Sequence, residues 1–256
     1  MGGELVFSIA TLLGFLLTLA RVAGVFVFVP MPGIGSVMSP ARVILALGIT
    51  IALFPQWPHL TEYPNGGTLV MWLMVEAALG IGIGLAVAFV TEAFNVGAQA
   101  MSLQAGFAFA STFDPNTQAD SGVLVVFTQI VAGLFFFVTG LDREVIRVFA
   151  RSMETYPAGS FVLTRGAAAQ VVSVGSTMFS TGLRLALPVI AVMVMIDISL
   201  ALLGRVNAQL HLITIAFPVK ILICLTMLGW LALLFPVLYR AESNVTLTMA
   251  RRLIAH

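Results

Sequence analysis

Long apolar runs separated by short polar or Pro/Gly-rich breaks dominate the chain, and no stretch sustains a strict apolar–polar alternation. Leu5–Val29 is 25 residues with one charge, Arg21, and it stops at Pro30 and Pro32. At about 1.5 Å per residue such a run crosses a hydrocarbon core of about 30 Å. Val43–Phe54 has only 12 residues before Pro55 and Pro58. That is too short to span alone, so it predicts a re-entrant or packed helix. Pro55–Gly67 reads as a loop. Leu69–Phe94, Val123–Leu141, Ala167–Gly204 and Phe217–Tyr239 are further apolar runs, and Asp142–Arg165 is a polar connection, helical at first and broken at Tyr156–Gly159. The missing alternation argues against an outer-membrane barrel and predicts an all-α fold.

Composition places these helices in lipid or against other apolar protein. Of 256 residues 60% are hydrophobic and 9% are charged, where a soluble domain carries about 25% charged residues. Mean hydropathy is +1.08. Too little polar surface exists to cover a core, which excludes an ordinary soluble enzyme and a nucleic-acid binder. A formal charge of +1 gives no long-range field. Cys224 is the single cysteine, so neither an internal disulfide nor a thiolate cluster can form. Met1–Glu4 lacks a basic region and the run from Leu5 is too long for a signal peptide, so the first segment is expected to persist as structure.

Two features make a plain bundle in lipid costly. Arg21, Glu76, Glu92, Arg184, Asp197 and Lys220 lie in or at the edges of apolar runs. At a helix centre each costs about 2.5–3.5 kcal/mol on an insertion scale. Gly80-x-x-x-Gly84, Gly97 and Gly106, with interleaved alanines, allow helices to approach closely. Together they predict a chain packed against protein over much of its surface.

Catalytic motifs are missing. Gly80-Ile-Gly82-Ile-Gly84 lies in continuous apolar helix, without the strand and opening helix that a nucleotide loop requires. His59, His211 and His256 have no partner at metal-ligand spacing. No nucleophile elbow occurs. Glu76 and Glu92 stand 16 residues apart, more than four turns of one helix and too far for a carboxylate pair. The expectation is a protein that is not an enzyme, with no cofactor and no metal.

Two stretches ask for more. Ser102–Pro115 carries Phe107, Phe109 and Phe113, stops at Asp114-Pro115, and leads into polar Asn116–Ser121. It reads either as a helix end with a surface turn or as a segment that lines or fills something. The second stretch is a polar knot of Arg205, Asn207, Gln209 and His211 between two apolar arms, which reads as the tip of a helical hairpin. Pro218 there suits the first turn of the returning helix, where a missing N–H is no loss. A plain hydrophilic hairpin loop is the alternative.

At these stretches the chain resembles the FliR family, the export-gate subunit of flagellar biosynthesis, which has a homologous subunit in virulence-type secretion systems. The pattern shows as Leu103-Gln104-x-Gly106-x-x-Phe109-Ala110 leading to Phe113-Asp114-Pro115. It continues as Leu185-Ala186-Leu187-Pro188-Val189, then Leu202-Leu203-Gly204-Arg205 through Gln209-Leu210 to Phe217-Pro218. The Pro-x-Gly turn at Pro157–Gly159 also fits. Ala208 departs from the family, which usually has proline before the glutamine, and the geometry of the hairpin tip is in question there.

The resemblance implies an integral membrane protein in which residues 1–165 are FliP-like and residues 166–256 form a FliQ-like helical hairpin with a tail. It implies a gate with FliP and FliQ in the bacterial inner membrane at the flagellar basal body, FlhB and FlhA as further partners, and unfolded flagellar proteins as cargo. Phe107, Phe109, Phe113, Asp114 and Pro115 then belong to the loop that plugs the closed pore. Arg205, Asn207, Gln209, Pro218 and Lys220 belong to the hairpin tip and its partner contacts, and Glu76, Glu92, Arg184 and Asp197 become buried charges between subunits. A virulence-type subunit is the alternative, and a proton-coupled transporter using Glu76, Glu92, Asp197 and Lys220 is the rival from another class. No inverted repeat supports that rival. The arginines at 143, 147, 151, 165, 240, 251 and 252 mark a cytoplasmic side by the positive-inside rule, whereas the resemblance turns the Arg205–His211 tip that way.

Overall fold

The computed structural model describes residues 9–30, 39–58, 60, 64–106, 123–161, 165–206 and 212–255. Helices account for nearly all of them, and no strand occurs among the described residues. In chain order they are α1 (Ile9–Phe28), α2 (Pro40–Ala52), a 3-10 turn (Phe54–Gln56), α3 (Gly66–Ala105), α4 (Val123–Val138), α5 (Leu141–Thr155), α6 (Arg165–Val206) and α7 (Leu212–Ala255). Four are long and apolar enough to cross a membrane: α1, α3, and α6 and α7 over Ala169–Val206 and Pro218–Thr248. α2 is a short apolar helix against α1, with Ala46 and Thr50 buried and Val43, Ile44 and Ile51 exposed.

Several boundaries differ from those of the apolar runs, α7 continuing past Tyr239 to Ala255 among them. α3 continues past Phe94 to Ala105 because Asn95, Gln99, Ser102 and Gln104 are tolerated in a helix whose apolar neighbours stay buried, such as Ala98 and Met101. α7 begins at Leu212, so Pro218 lies inside the helix and not in its first turn. Its missing N–H and its ring leave a weak point there. α4 stops at Val138, and Gly140, at φ 74°, redirects the chain before α5.

The chain divides into two compact units. The first comprises Met1–Phe89, Gly140–Val174 and Ser243–His256; the second comprises Val90–Thr139 and Gly175–Glu242. In the first, α1 crosses the N-terminal half of α3 at backbone contact. A Cβ on Gly80 would fall on the Arg21 carbonyl oxygen, one on Gly84 on the Val25 backbone, and one on Gly24 would stand 2.5 Å from the Ala77 carbonyl oxygen. Gly82, on the other side of α3, meets nothing within 4 Å. The Gly80-x-x-x-Gly84 pair is therefore a helix-crossing motif, and the partner it admits is this chain's own α1. The apolar face of α5 (Leu141, Val145, Val148 and Phe149) is also buried.

The second unit holds the C-terminal half of α3, α4 and most of α6 and α7. Asp197 of α6 pairs with Lys220 of α7, and the earlier Thr181 of α6 pairs with the later Glu242 of α7, the order of an antiparallel hairpin. α3 crosses α6 closely at Gly97 and Gly182, where a Cβ on Gly182 would lie 2.6 Å from the Ala93 carbonyl oxygen. Phe94, Phe235, Tyr239 and Phe135 form an aromatic cluster with ring separations of 5.2, 5.4 and 5.9 Å. Such pairs add to the area they bury.

Candidate functional site

Each unit carries a polar cluster that joins its helices. In the first it is built on the end of α5. The Ser152 carbonyl oxygen accepts the capping Tyr156 N–H at 3.0 Å, and a guanidinium adds a second donor to it and one to the Tyr156 carbonyl oxygen. Arg21 Nη1 donates to the Ser152 carbonyl oxygen at 2.8 Å and to Ser152 Oγ at 3.4 Å, and Nη2 donates to the Tyr156 carbonyl oxygen at 3.0 Å. A cation at that helix end also complements the helix dipole. Arg21 Nε completes the arrangement by donating to Glu76 Oε2.

The second oxygen of Glu76 reaches the turn that follows α5. Its Oε1 accepts the Gly159 N–H at 2.9 Å. The turn is closed by Ser160 N–H donating to the Pro157 carbonyl oxygen at 3.0 Å, and Gly159 sits in it at φ 77°. A Cβ at Gly159 would also stand 2.6 Å from the Trp72 ring, so glycine is required twice over. Arg21 and Glu76 are each 1% exposed. A cavity of about 410 Å³ opens beside them, lined by Leu17, Thr18, Trp72, Met153 and Tyr156 among others. The Arg21–Glu76 pair joins three elements of the first unit. Its work is to hold α1, α3 and the end of α5 together. Arg42 repeats the device on α1, its Nη1 donating to the carbonyl oxygens of Phe26 at 2.7 Å and Val27 at 3.0 Å.

In the second unit the hub is Asp197. One of its carboxylate oxygens pairs with Lys220 Nζ on α7, and the other accepts from Gln104 Nε2 on α3 at 3.3 Å. Lys220 is mostly buried, whereas Asp197 is 42% exposed. The Leu103-Gln104 motif and the Phe217-Pro-Val-Lys220 motif thus meet on one carboxylate that belongs to neither.

The remaining predicted residues fall as follows. Phe107, Phe109, Phe113, Asp114, Pro115, Asn207 and Gln209 lie outside the described residues. Arg205 is exposed in the last turn of α6, and Pro218 is exposed on α7. Glu76, expected against a neighbouring subunit, is satisfied wholly within the chain. Glu92 accepts from Asn95 Nδ2 at 3.1 Å, and both Glu92 and Arg184 are exposed on this chain taken alone. No group of three or more His, Cys, Asp or Glu poised to hold a metal occurs among the described residues. Reading the sequence missed Gly24, Gly182, Ser152, Tyr156 and the role of Arg42. The signal for Arg21 and Glu76 was present, as two opposite charges buried in separate apolar runs.

Known proteins resemble the chain over most of its length. The sequence model of the family described as Bacterial export proteins, family 1, matches residues 12–245. The flagellar biosynthetic protein FliR of Pectobacterium carotovorum subsp. carotovorum is 31% identical over 198 residues, 76% of each chain. That of Escherichia coli K12 is 28% identical over 212 residues, 82% of this chain and 81% of the relative. The surface presentation of antigens protein SpaR of Salmonella typhimurium is 25% identical over 215 residues, 78% of this chain and 76% of the relative.

Proposed function

Because the chain belongs to the FliR family of bacterial export proteins, we propose that it forms, with FliP and FliQ, the pore of the flagellar type III protein export gate. Its place as a membrane component of type III export follows from the family, with four helices suited to span the inner membrane. The pore, its partners and its non-enzymatic role are what we add to that. The observation that carries the proposal is the family match from residue 12 to 245, which takes in both the α3 end and the α6–α7 hairpin.

Outward apolar surface supports partners beside lipid. Leu187, Ile198 and Leu202 on α6 and Leu222, Trp230 and Leu233 on α7 are all exposed on the chain alone. In a membrane such faces meet lipid or a neighbouring subunit, and the hairpin offers them on both arms, as a FliQ-like element would. Glu92 and Arg184 are the charges left for contacts between subunits. Residues 1–165 would act as the FliP-like portion, with FlhB and FlhA as further partners of the gate. The transporter reading loses support because Glu76, Asp197 and Lys220 are already paired within the chain.

The proposed plug is the segment with Phe107, Phe109 and Phe113, whose aromatic volume would seal a pore and keep it dry. Shortening Ala108–Asp120 should leave assembly with FliP and FliQ intact and raise the permeability of cells to small ions or dyes. A shortened variant that assembles and stays as tight as the parent rules the plug out. The gate itself is tested by deleting the gene, which should abolish both secretion of flagellar proteins and swimming. Relatives of flagellar name range from 31% to 22% identical and SpaR stands at 25%; with the two highest of these identities on the flagellar side, we take the flagellar system as our reading. A motile deletion strain that has lost secretion of virulence proteins would reverse that preference.

A further inference from the structure

The carboxylate of Asp197 is the only described point at which Gln104, near the end of α3, and Lys220, near the start of α7, are joined. Three features make this tie weaker than the packing beside it. Gln104 is one residue from the end of α3, and the chain leaves that helix at Gly106 with φ 85°. Lys220 stands two residues beyond Pro218, where the backbone of α7 lacks a hydrogen bond. Asp197 is partly open to solvent, and ion pairs so placed contribute little to folding. Farther along the same helices the contacts are of another kind: Gly97 against Gly182, and the buried rings of Phe94, Phe235 and Tyr239. Met101, Ala105, Met193 and Cys224 are buried within about a turn of Asp197 and its partners, so the helices pack at this end too, and the partly solvated carboxylate is the polar tie laid over that packing.

We propose that Asp197 is a releasable clamp that sets the end of α3 against the α6–α7 hairpin, and that the export-competent state of the gate is the one in which Gln104 has let go. The inference rests on the export-gate reading above. A weak polar tie suits this task because it biases a two-state equilibrium without deciding whether the protein folds. Gln104 is the informative position. It is half-buried, it contributes one neutral hydrogen bond, and a charge placed there acts on Asp197 with a chosen sign.

The test uses the complex co-expressed with its membrane partners in a strain that lacks this chain. Gln104→Lys sets a cation opposite Asp197 and should tighten the clamp. Secretion of flagellar proteins should fall about fivefold, the change in a two-state ratio given by one surface charge interaction of ordinary size, while dye leak stays at the parent level. Gln104→Glu sets a second carboxylate there and should raise leak by a similar factor with the yield of complex unchanged. Gln104→Asn, too short to reach, should fall between the parent and Gln104→Glu. The exchanged pair Asp197→Lys/Lys220→Asp should restore parental behaviour that either single change loses, since the new ammonium can still meet the Gln104 amide oxygen. The clamp is wrong if Gln104→Lys and Gln104→Glu move leak and secretion in the same direction, if neither moves them, or if both lower the yield of complex. Normal secretion after deletion of the whole chain would instead sink the gate reading. A working gate indifferent to Gln104 sinks the clamp alone.

Discussion

Both units of this chain place a carboxylate–cation pair among apolar helices, and the two pairs are built to different ends. Arg21 and Glu76 are sealed from solvent, and every other contact they make is to the backbone or side chain of a neighbouring element. Asp197 and Lys220 have only Gln104 as a third described partner and lie partly in solvent. The first arrangement resembles a helix cap that has been driven into a core. Its charges are tolerated because the carbonyl oxygens of Ser152 and Tyr156 accept from Arg21 and the Pro157–Ser160 turn presents an N–H to Glu76. The second has no such backing. A charge in an apolar run thus serves as scaffold in the first unit and, on our proposal, as a releasable tie in the second, and the two differ in the number of backbone groups they satisfy.

The largest effect should come from removing one side of the sealed pair. Glu76→Gln leaves the Arg21 guanidinium uncompensated at 1% exposure. Breaking a buried pair this way costs about 3–5 kcal/mol, enough to deplete the folded protein. Size-exclusion profiles of the detergent-extracted complex, before and after heating, measure it. The paired change Arg21→Met/Glu76→Leu should cost far less than the two single changes together, because no charge is stranded. If Glu76→Gln is no worse than Asp197→Asn in the same assay, the contrast between the units collapses.

The next effect separates two glycines on one helix. Gly80→Ala forces a methyl group onto the Arg21 carbonyl oxygen, and backbone cannot swing aside as a side-chain tip can. Overpacking of this kind costs about 1–3 kcal/mol, and it also displaces the residue that carries the buried guanidinium. Gly82→Ala meets open space, and in a helix interior alanine is favoured over glycine by about 1 kcal/mol. Opposite signs are expected in a heating curve of the complex. Equal destabilisation by both would mean that α1 does not cross α3 where Gly80 and Gly84 lie.

These two glycines show how far the sequence could be read. The Gly80-x-x-x-Gly84 spacing and the charges at 21 and 76 were legible as close packing and buried polarity, because helix periodicity and the cost of charge in an apolar medium are local matters. Their partner was not. Nothing in residues 76–84 says whether the facing helix is α1 of the same chain or a helix of another, since both present apolar surface. The end of α5 was legible too: Tyr156–Gly159 breaks the helix at the place where the structure ends it. That Arg21 caps it spans 131 positions of sequence, and no periodicity reaches that far. α7 misled in the opposite way. Pro218 looks like an opening residue, yet the helix already runs from Leu212.

Gly159→Ala tests the turn end of the sealed cluster and should have an intermediate effect. The left-handed backbone costs an alanine about 1–2 kcal/mol, and the added methyl group crowds the Trp72 ring. The turn then either yields, giving up the Gly159 N–H bond to Glu76, or pushes Trp72 aside. Trp72 fluorescence in a variant from which Trp57 and Trp230 have been removed distinguishes these outcomes. A shift in emission means that the ring has moved, and an unshifted spectrum with a lowered melting temperature means that the turn has. An unchanged spectrum and an unchanged melting temperature would show that the turn does not lean on Glu76 at all.

The smallest effect on stability, and the most telling for function, belongs to Lys220. Its ammonium is mostly covered but its partner is partly solvated, so the pair should contribute only about 0–1 kcal/mol to folding. Lys220→Arg keeps the charge and can still reach Asp197. Lys220→Glu sets two carboxylates against each other beside the weak point at Pro218. Both variants should therefore melt within a few degrees of the parent complex, and only Lys220→Glu should shrink the swimming ring in soft agar. A large loss of thermal stability in Lys220→Arg would place this pair in the same class as Arg21 and Glu76, and the two units would no longer differ. Two silent substitutions would leave Lys220 as a side chain that merely carries its charge out to the interface.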